Sequence, residues 1–168
     1  MRRRTFRCAG AAFALSASLL GGTVVLAPPA SANTSQGVIY GSGTITDDWG
    51  DEGPLDYNSH DFSRATALWQ IVLQMEGLYT GRVDCDFGPA TTAATKAFQA
   101  RYGLVQDGGA GPKTMGVADN FLALKSDGVT VTYKGVNAFQ RRNGTYYIYH
   151  TTGVWMTASY NSSSGCVL

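Results

Sequence analysis

Between Thr66 and Met115 the chain writes one local pattern, Asp-x-x-x-Gly-Pro-x-Thr, twice, with 23 residues from one copy to the next. The first copy is Asp84-Cys85-Asp86-Phe87-Gly88-Pro89-Ala90-Thr91 and the second is Asp107-Gly108-Gly109-Ala110-Gly111-Pro112-Lys113-Thr114. Each reads as a turn that feeds a helix. Proline at the first helical position gives up an N–H that the helix does not use, glycine ahead of it tolerates the cap geometry, and the aspartate can accept turn amides. A repeated start signal predicts a repeated structural unit.

Helical patterns surround the two starts. Leu68, Ile71, Val72, Met75 and Tyr79 form an apolar stripe at helical spacing, with Ser63 placed to cap its start and Gly77 to stop it. After Pro89, the positions Ala90, Ala94, Ala97, Phe98 and Tyr102 repeat at the same period and end at Gly103. A third, shorter helix is expected from Pro112 through Val117, Ala118 and Phe121.

Taken together, Gln70-x-x-Leu73, Gly77-Leu78-Tyr79-Thr80-Gly81-Arg82-Val83-Asp84, Asp86-Phe87-Gly88-Pro89, Ala97-Phe98-Gln99, Tyr102-Gly103-Leu104 and Asp107-Gly108-x-x-Gly111-Pro112-x-Thr114 resemble the peptidoglycan-binding-like family. The resemblance runs in register over about fifty residues. It implies a small three-helix module of the kind attached to bacterial cell-wall hydrolases and related secreted proteins, with a ligand groove between helices. Three positions depart from the family pattern: Trp69 stands for the usual Leu, Cys85 for a turn Gly, and Ala110 for the usual Phe before the second Gly-Pro. A glycan with peptide stems offers hydroxyls, amides, carboxylates and flat sugar faces. The side chains suited to it on or beside these turns are Tyr79, Arg82, Asp84, Gln99, Arg101, Tyr102 and Lys113. The alternative for Tyr79, Tyr102 and Gln99 is a purely internal role at the core edge or helix end.

The first 32 residues fit a secretory signal: Arg2, Arg3, Arg4 and Arg7, then an apolar core from Phe13 to Leu26, then Ala30-Ser31-Ala32 as a cleavage site. A retained membrane anchor fits less well, because Gly21-Gly22 and Pro28-Pro29 interrupt the apolar run. Removing those four arginines leaves nine basic residues against 12 acidic ones, a net charge of −3. That balance speaks against nucleic acid or an anionic membrane as partner after cleavage. Cys85 and Cys166 survive processing into an oxidising compartment, and two cysteines allow one intramolecular pairing, so a disulfide between them is expected.

Residues 33–60 are rich in Gly, Ser, Asp and Asn around the apolar islands Val38-Ile39-Tyr40 and Trp49, and read as a flexible arm. The acids Asp47, Asp48, Asp51 and Glu52 have no rigid calcium-loop spacing and read as a solvated acidic loop. From residue 125 onward the period changes from helical to alternating. Val129 to Tyr133, Tyr146 to His150 and Val154 to Tyr160 read as strands, with Asn143-Gly144 and Thr152-Gly153 as hairpin turns. A three- or four-stranded meander docked on the helices follows. The run Ala138 to Gly144 echoes Ala97 to Gly103, but without a Gly-Pro start it counts as coincidence. Tyr147, Tyr149, Trp155 and Tyr160 form a second aromatic set, packed against the helices or exposed as a sugar or partner surface.

Catalytic chemistry is not apparent. His60 and His150 are the two histidines and have no zinc-ligand spacing, Cys166 is accounted for by Cys85, and the pair Asp84 and Asp86 is structural in the resembling family. No cofactor or metal is expected. The domain reading is a signal over 1–32, an arm over 33–60, the helical domain over 61–124 and a disulfide-tethered β extension over 125–168. The fold is expected to be α+β overall: a mainly α three-helix module with a small antiparallel β-meander at its C-terminal side. The function expected is that of a secreted, non-catalytic peptidoglycan-binding protein, outside the cell or at the wall. The alternatives are a module aimed at a secreted protein partner, which it inhibits or recruits, and a small hydrolase accessory.

Overall fold

The structure, a computed structural model, describes residues 34–166, and the expected signal over 1–32 lies outside them. Three helices form as the start signals demand: α1 over Arg64–Met75, α2 over Pro89–Arg101 and α3 over Pro112–Ala118. Ser63 caps α1, its hydroxyl accepting the Thr66 N–H at 3.1 Å, and Pro89 and Pro112 open α2 and α3. The third helix is shorter than its stripe suggests. At Asp119 it tightens into a 3-10 turn, Asp119–Phe121, which delivers the chain directly into a sheet.

That sheet has five antiparallel strands in sequence order: β1 over Leu122–Leu124, β2 over Thr130–Tyr133, β3 over Val136–Arg142, β4 over Thr145–Tyr149 and β5 over Trp155–Thr157. Two of them, β1 and β3, correct the smaller meander expected. The run from Ala138 that echoes a helix is β3, because Phe139 and Arg141 alternate with Gln140 and Arg142 and pair with β4 through Arg142↔Thr145. Asn143 and Gly144, both at positive φ, make the two-residue turn between them.

The segment expected to be a flexible arm is instead built into the core over its described part. Ile39, Trp49 and Leu55 are fully buried. The Ile39 N–H donates to the Ala158 carbonyl and its own carbonyl accepts the Tyr146 N–H, so the segment runs beside β4 and β5. Trp49 sets its ring edge-on to Phe139 and Tyr146, at 5.7 and 5.3 Å between centroids. A few large apolar side chains suffice here because each lands in an existing gap, at about 2–3 kcal/mol of burial apiece. The polar residues between them find partners: the Tyr146 hydroxyl donates to Asp48 at 2.5 Å, and the Tyr160 hydroxyl donates to Glu52 at 2.5 Å. Tyr160 is thereby withdrawn from the aromatic set of the sheet, being 3% exposed.

Cys85 and Cys166 are bonded, as expected, with Cα atoms 5.3 Å apart across 81 residues of sequence. The bond ties the far end of the chain to the first of the two repeated turns.

Candidate functional site

The two repeated turns are superposable in their chemistry. In the first, the Gln70 side chain of α1 donates from Nε2 to Asp84 Oδ1, the Asp86 carbonyl and Thr91 Oγ1, while its Oε1 accepts the Cys85 N–H. In the second, the Gln99 side chain of α2 donates from Nε2 to Asp107 Oδ1, the Gly109 carbonyl and Thr114 Oγ1, while its Oε1 accepts the Gly108 N–H. Each aspartate also accepts the N–H two residues on. Both glutamines are buried, so each turn is a rigid loop held from beneath by one amide.

The residues at the crown of each turn adopt the left-handed conformation, Cys85 at φ 65° and Gly108 at φ 86°. Glycine suits that φ, which accounts for the family's glycine at the first position. At the second, glycine is also needed for space, since a Cβ on Gly108 would come within 2.9 Å of Thr92 and Lys96.

A cleft of about 340 Å³ opens over the second turn. One wall is the loop itself, Asp107 to Gly109, with Thr92 of α2; the other is Asp56, Tyr57 and Asn58. The second wall is fixed by a two-way backbone bridge between Leu55 and Ala110 and by a tight turn in which Asp56 accepts the Asn58 N–H at 2.7 Å. Tyr57 stands on the lip, 68% exposed. Aromatic ring, carboxylates, hydroxyl and amide thus converge on one concave surface of a size usual for small-ligand or polymer subsites.

The residues singled out from sequence distribute over three places. Gln99 lies beneath the cleft as its support. Tyr79 and Asp84 belong to the first turn, where the Tyr79 hydroxyl donates to the Arg82 carbonyl. Arg101 and Tyr102 converge on Glu76, the residue that ends α1, through Arg101 Nη1 at 2.8 Å and the Tyr102 hydroxyl at 3.1 Å. From the sheet, the Tyr133 hydroxyl and Lys134 Nζ reach the same carboxylate at 2.5 and 2.7 Å. Burial works to raise the Glu76 carboxyl, but the bonds from Lys134, Tyr133, Arg101 and Tyr102 outweigh it and hold the group below its usual value. These two candidates therefore join helices to sheet. Arg82 and Lys113 are exposed. Tyr57, Asp56, Asn58 and Thr92 were not singled out; the Asp-x-Asn turn beside buried Leu55 was the available signal.

The acidic loop is only partly solvated. Asp47 and Asp51 are exposed, whereas Asp48 and Glu52 turn inward to Tyr146 and Tyr160. Among the described residues no group of three or more His, Cys, Asp or Glu side chains is arranged to hold a metal ion. No helix among them is long and apolar enough to cross a membrane.

Residues 65–117 match the family described as "Putative peptidoglycan binding domain". Over 137 residues the chain is 32% identical to the zinc D-Ala-D-Ala carboxypeptidase of Streptomyces albus G, an alignment that takes in 77% of this chain and 47% of that protein. The chain thus spans about half the length of this curated relative. No solved structure matches the chain. The stretch 65–117, with its two amide-held turns and proline-started helices, belongs to that peptidoglycan-binding family.

Proposed function

We propose that the protein is exported and held at the bacterial wall by peptidoglycan bound in the cleft over the second turn, and that it catalyses no reaction itself. The observation that carries this reading is the asymmetry of the repeat. The first turn is tied down by the chain's own tail through Cys85, while the chemically equivalent second turn lies under an open cleft lined by Tyr57 and Asp107. In that cleft a sugar face packs on Tyr57, and the carboxylates and amide of Asp56, Asp107 and Asn58 take hydroxyl and amide hydrogens of the polymer. Export is supported by the arginine-led apolar start of the sequence and by the disulfide. The non-catalytic reading is supported by the engagement of the reactive side chains: Cys166 is oxidised, His60 Nδ1 meets the Tyr160 carbonyl, and His150 Nδ1 meets Thr152.

The test is co-sedimentation with insoluble peptidoglycan. Wild-type protein is expected in the pellet at moderate salt and Tyr57→Ala in the supernatant; wild-type protein in the supernatant would overturn the reading. A zymogram on the same material checks the second half of the proposal, and a clearing band would refute it.

A further inference from the structure

The sheet carries a second aromatic surface on the side that faces away from the core. In β4, Tyr146 and Ile148 are fully buried, so Tyr147 and Tyr149 project to the opposite face. The register sets Tyr149 beside Trp155 and Tyr147 beside Gln140 and Thr157. The Tyr149 and Trp155 rings lie 5.0 Å apart between centroids, and Tyr149 is 52% exposed. The two rings border a cavity of about 290 Å³ together with Thr130 and Asn137. The Arg142 guanidinium sits 4.9 Å over the Tyr147 ring on the same face. Of the basic residues after residue 128, Lys134 and Arg141 turn to Glu76 and Asp48, which leaves Arg142 on this face, while at its edge the Thr130 hydroxyl donates to Asp127 at 2.6 Å.

We propose that this outer face is a second glycan-binding surface, on which Tyr149 and Trp155 receive the ring face of an amino-sugar strand. The chemistry selects that occupant. Two adjacent aromatic rings inclined at 57° offer apolar faces to the C–H face of a pyranose, and Asn137 and Gln140 offer donors and acceptors to hydroxyl and acetamido groups. The Arg142 guanidinium on this face offers a partner to the carboxylates that the sugar and stem substituents of such a polymer carry. The proposal rests on the reading of the protein as a wall binder and extends it: a repeating strand can engage the cleft and the sheet at once, and the second contact then acts at a high effective concentration.

The experiment uses the full exported chain and chitotetraose, a soluble β-1,4-linked tetramer of N-acetylglucosamine, followed by tryptophan emission and amide chemical shifts. Trp49 and Trp69 are fully buried, so a change in emission reports Trp155. The expected result is an emission change with shifts clustered on β3 to β5, weakened about tenfold in Tyr149→Ala. In Trp155→Phe the emission response is expected to vanish while the amide shifts persist. Unchanged emission with β3 to β5 unshifted overturns the proposal, even where the protein still sediments with insoluble peptidoglycan through its cleft. Sheet shifts that persist in Tyr57→Ala support it independently of the cleft.

Discussion

Gln70 and Gln99 do the same work in successive helices: each buries its amide under the turn that follows and bonds an aspartate, a carbonyl, a threonine hydroxyl and a backbone N–H there. The correspondence extends to the left-handed residue at the crown of each turn, Cys85 and Gly108. The repeat in the sequence is therefore a repeat of one hydrogen-bonding device, and the helix starts are its visible part.

Removing either amide leaves buried N–H and carbonyl groups without partners, at about 1–3 kcal/mol for each group stranded. Gln70→Ala and Gln99→Ala are each expected to lower stability by about 2–4 kcal/mol in chemical denaturation. Gln99→Glu is the sharper test. It replaces the donor beside Asp107 with an acceptor, so at neutral pH two carboxylates face each other, and the variant should recover stability as the pH is lowered to about 4. Equal loss at both pH values would show that the amide's donor role is not the cause.

The disulfide and the crown residue of the first turn can be separated. The bond closes 81 residues, and its loss is expected to cost about 2–4 kcal/mol, largely through the freer unfolded chain. Without its partner, a non-glycine residue at φ 65° keeps the steric cost of the left-handed region. In a Cys166→Ser background, Cys85→Gly should therefore be about 1 kcal/mol more stable than Cys85→Ala. Matching midpoints for the two variants would remove that account of the family's glycine.

The helices and their caps were legible in the sequence because each depends on neighbours in the chain, Ser63 with Thr66 and proline at the first position, and the disulfide was legible because two cysteines allow one pairing. The N-terminal segment was not. Its composition is that of a loop, and its order comes from partners about a hundred residues away, Tyr146 for Asp48 and Tyr160 for Glu52. The cleft shares that fate, since one of its walls belongs to this segment. The strand β3 was hidden because Arg141, an inward position, is a charged residue whose partner, Asp48, lies in the same misread stretch.

Glu76 is the joint between the helical module and the sheet. In Glu76→Ala the buried Tyr133 hydroxyl loses its acceptor, while Lys134 and Arg101, with side chains 39% and 44% exposed, can turn to water. The expected cost at pH 7 is about 2 kcal/mol. Because the folded carboxyl titrates below its ordinary value, its contribution is present above the unfolded pKa near 4.5 and is lost as the pH falls below it. Glu76→Gln should flatten that acid limb of the stability profile. An acid limb unchanged in the variant would assign it to other carboxylates.

Asp119 acts in the opposite sense. It sits at the foot of α3, nearly fully buried, and its Oδ2 accepts the Trp49 N–H at 3.0 Å, fastening the N-terminal segment to the helices. Burial pushes the Asp119 carboxyl up to about 7, and burial does the same to Glu52, also to about 7. Between the unfolded values near 4 and the folded values near 7, the native state holds protons that the unfolded chain has released. These two carboxyls therefore make stability fall as the pH rises through that window, whereas Glu76 makes it fall on the acid side. In Asp119→Asn the amide oxygen still accepts the Trp49 N–H while the titrating charge is gone. That variant is expected to match the wild type at about pH 4 and to exceed it at pH 8, as read from urea midpoints across the range. Parallel profiles for the two proteins would mean that the charge on Asp119 does not set the alkaline decline.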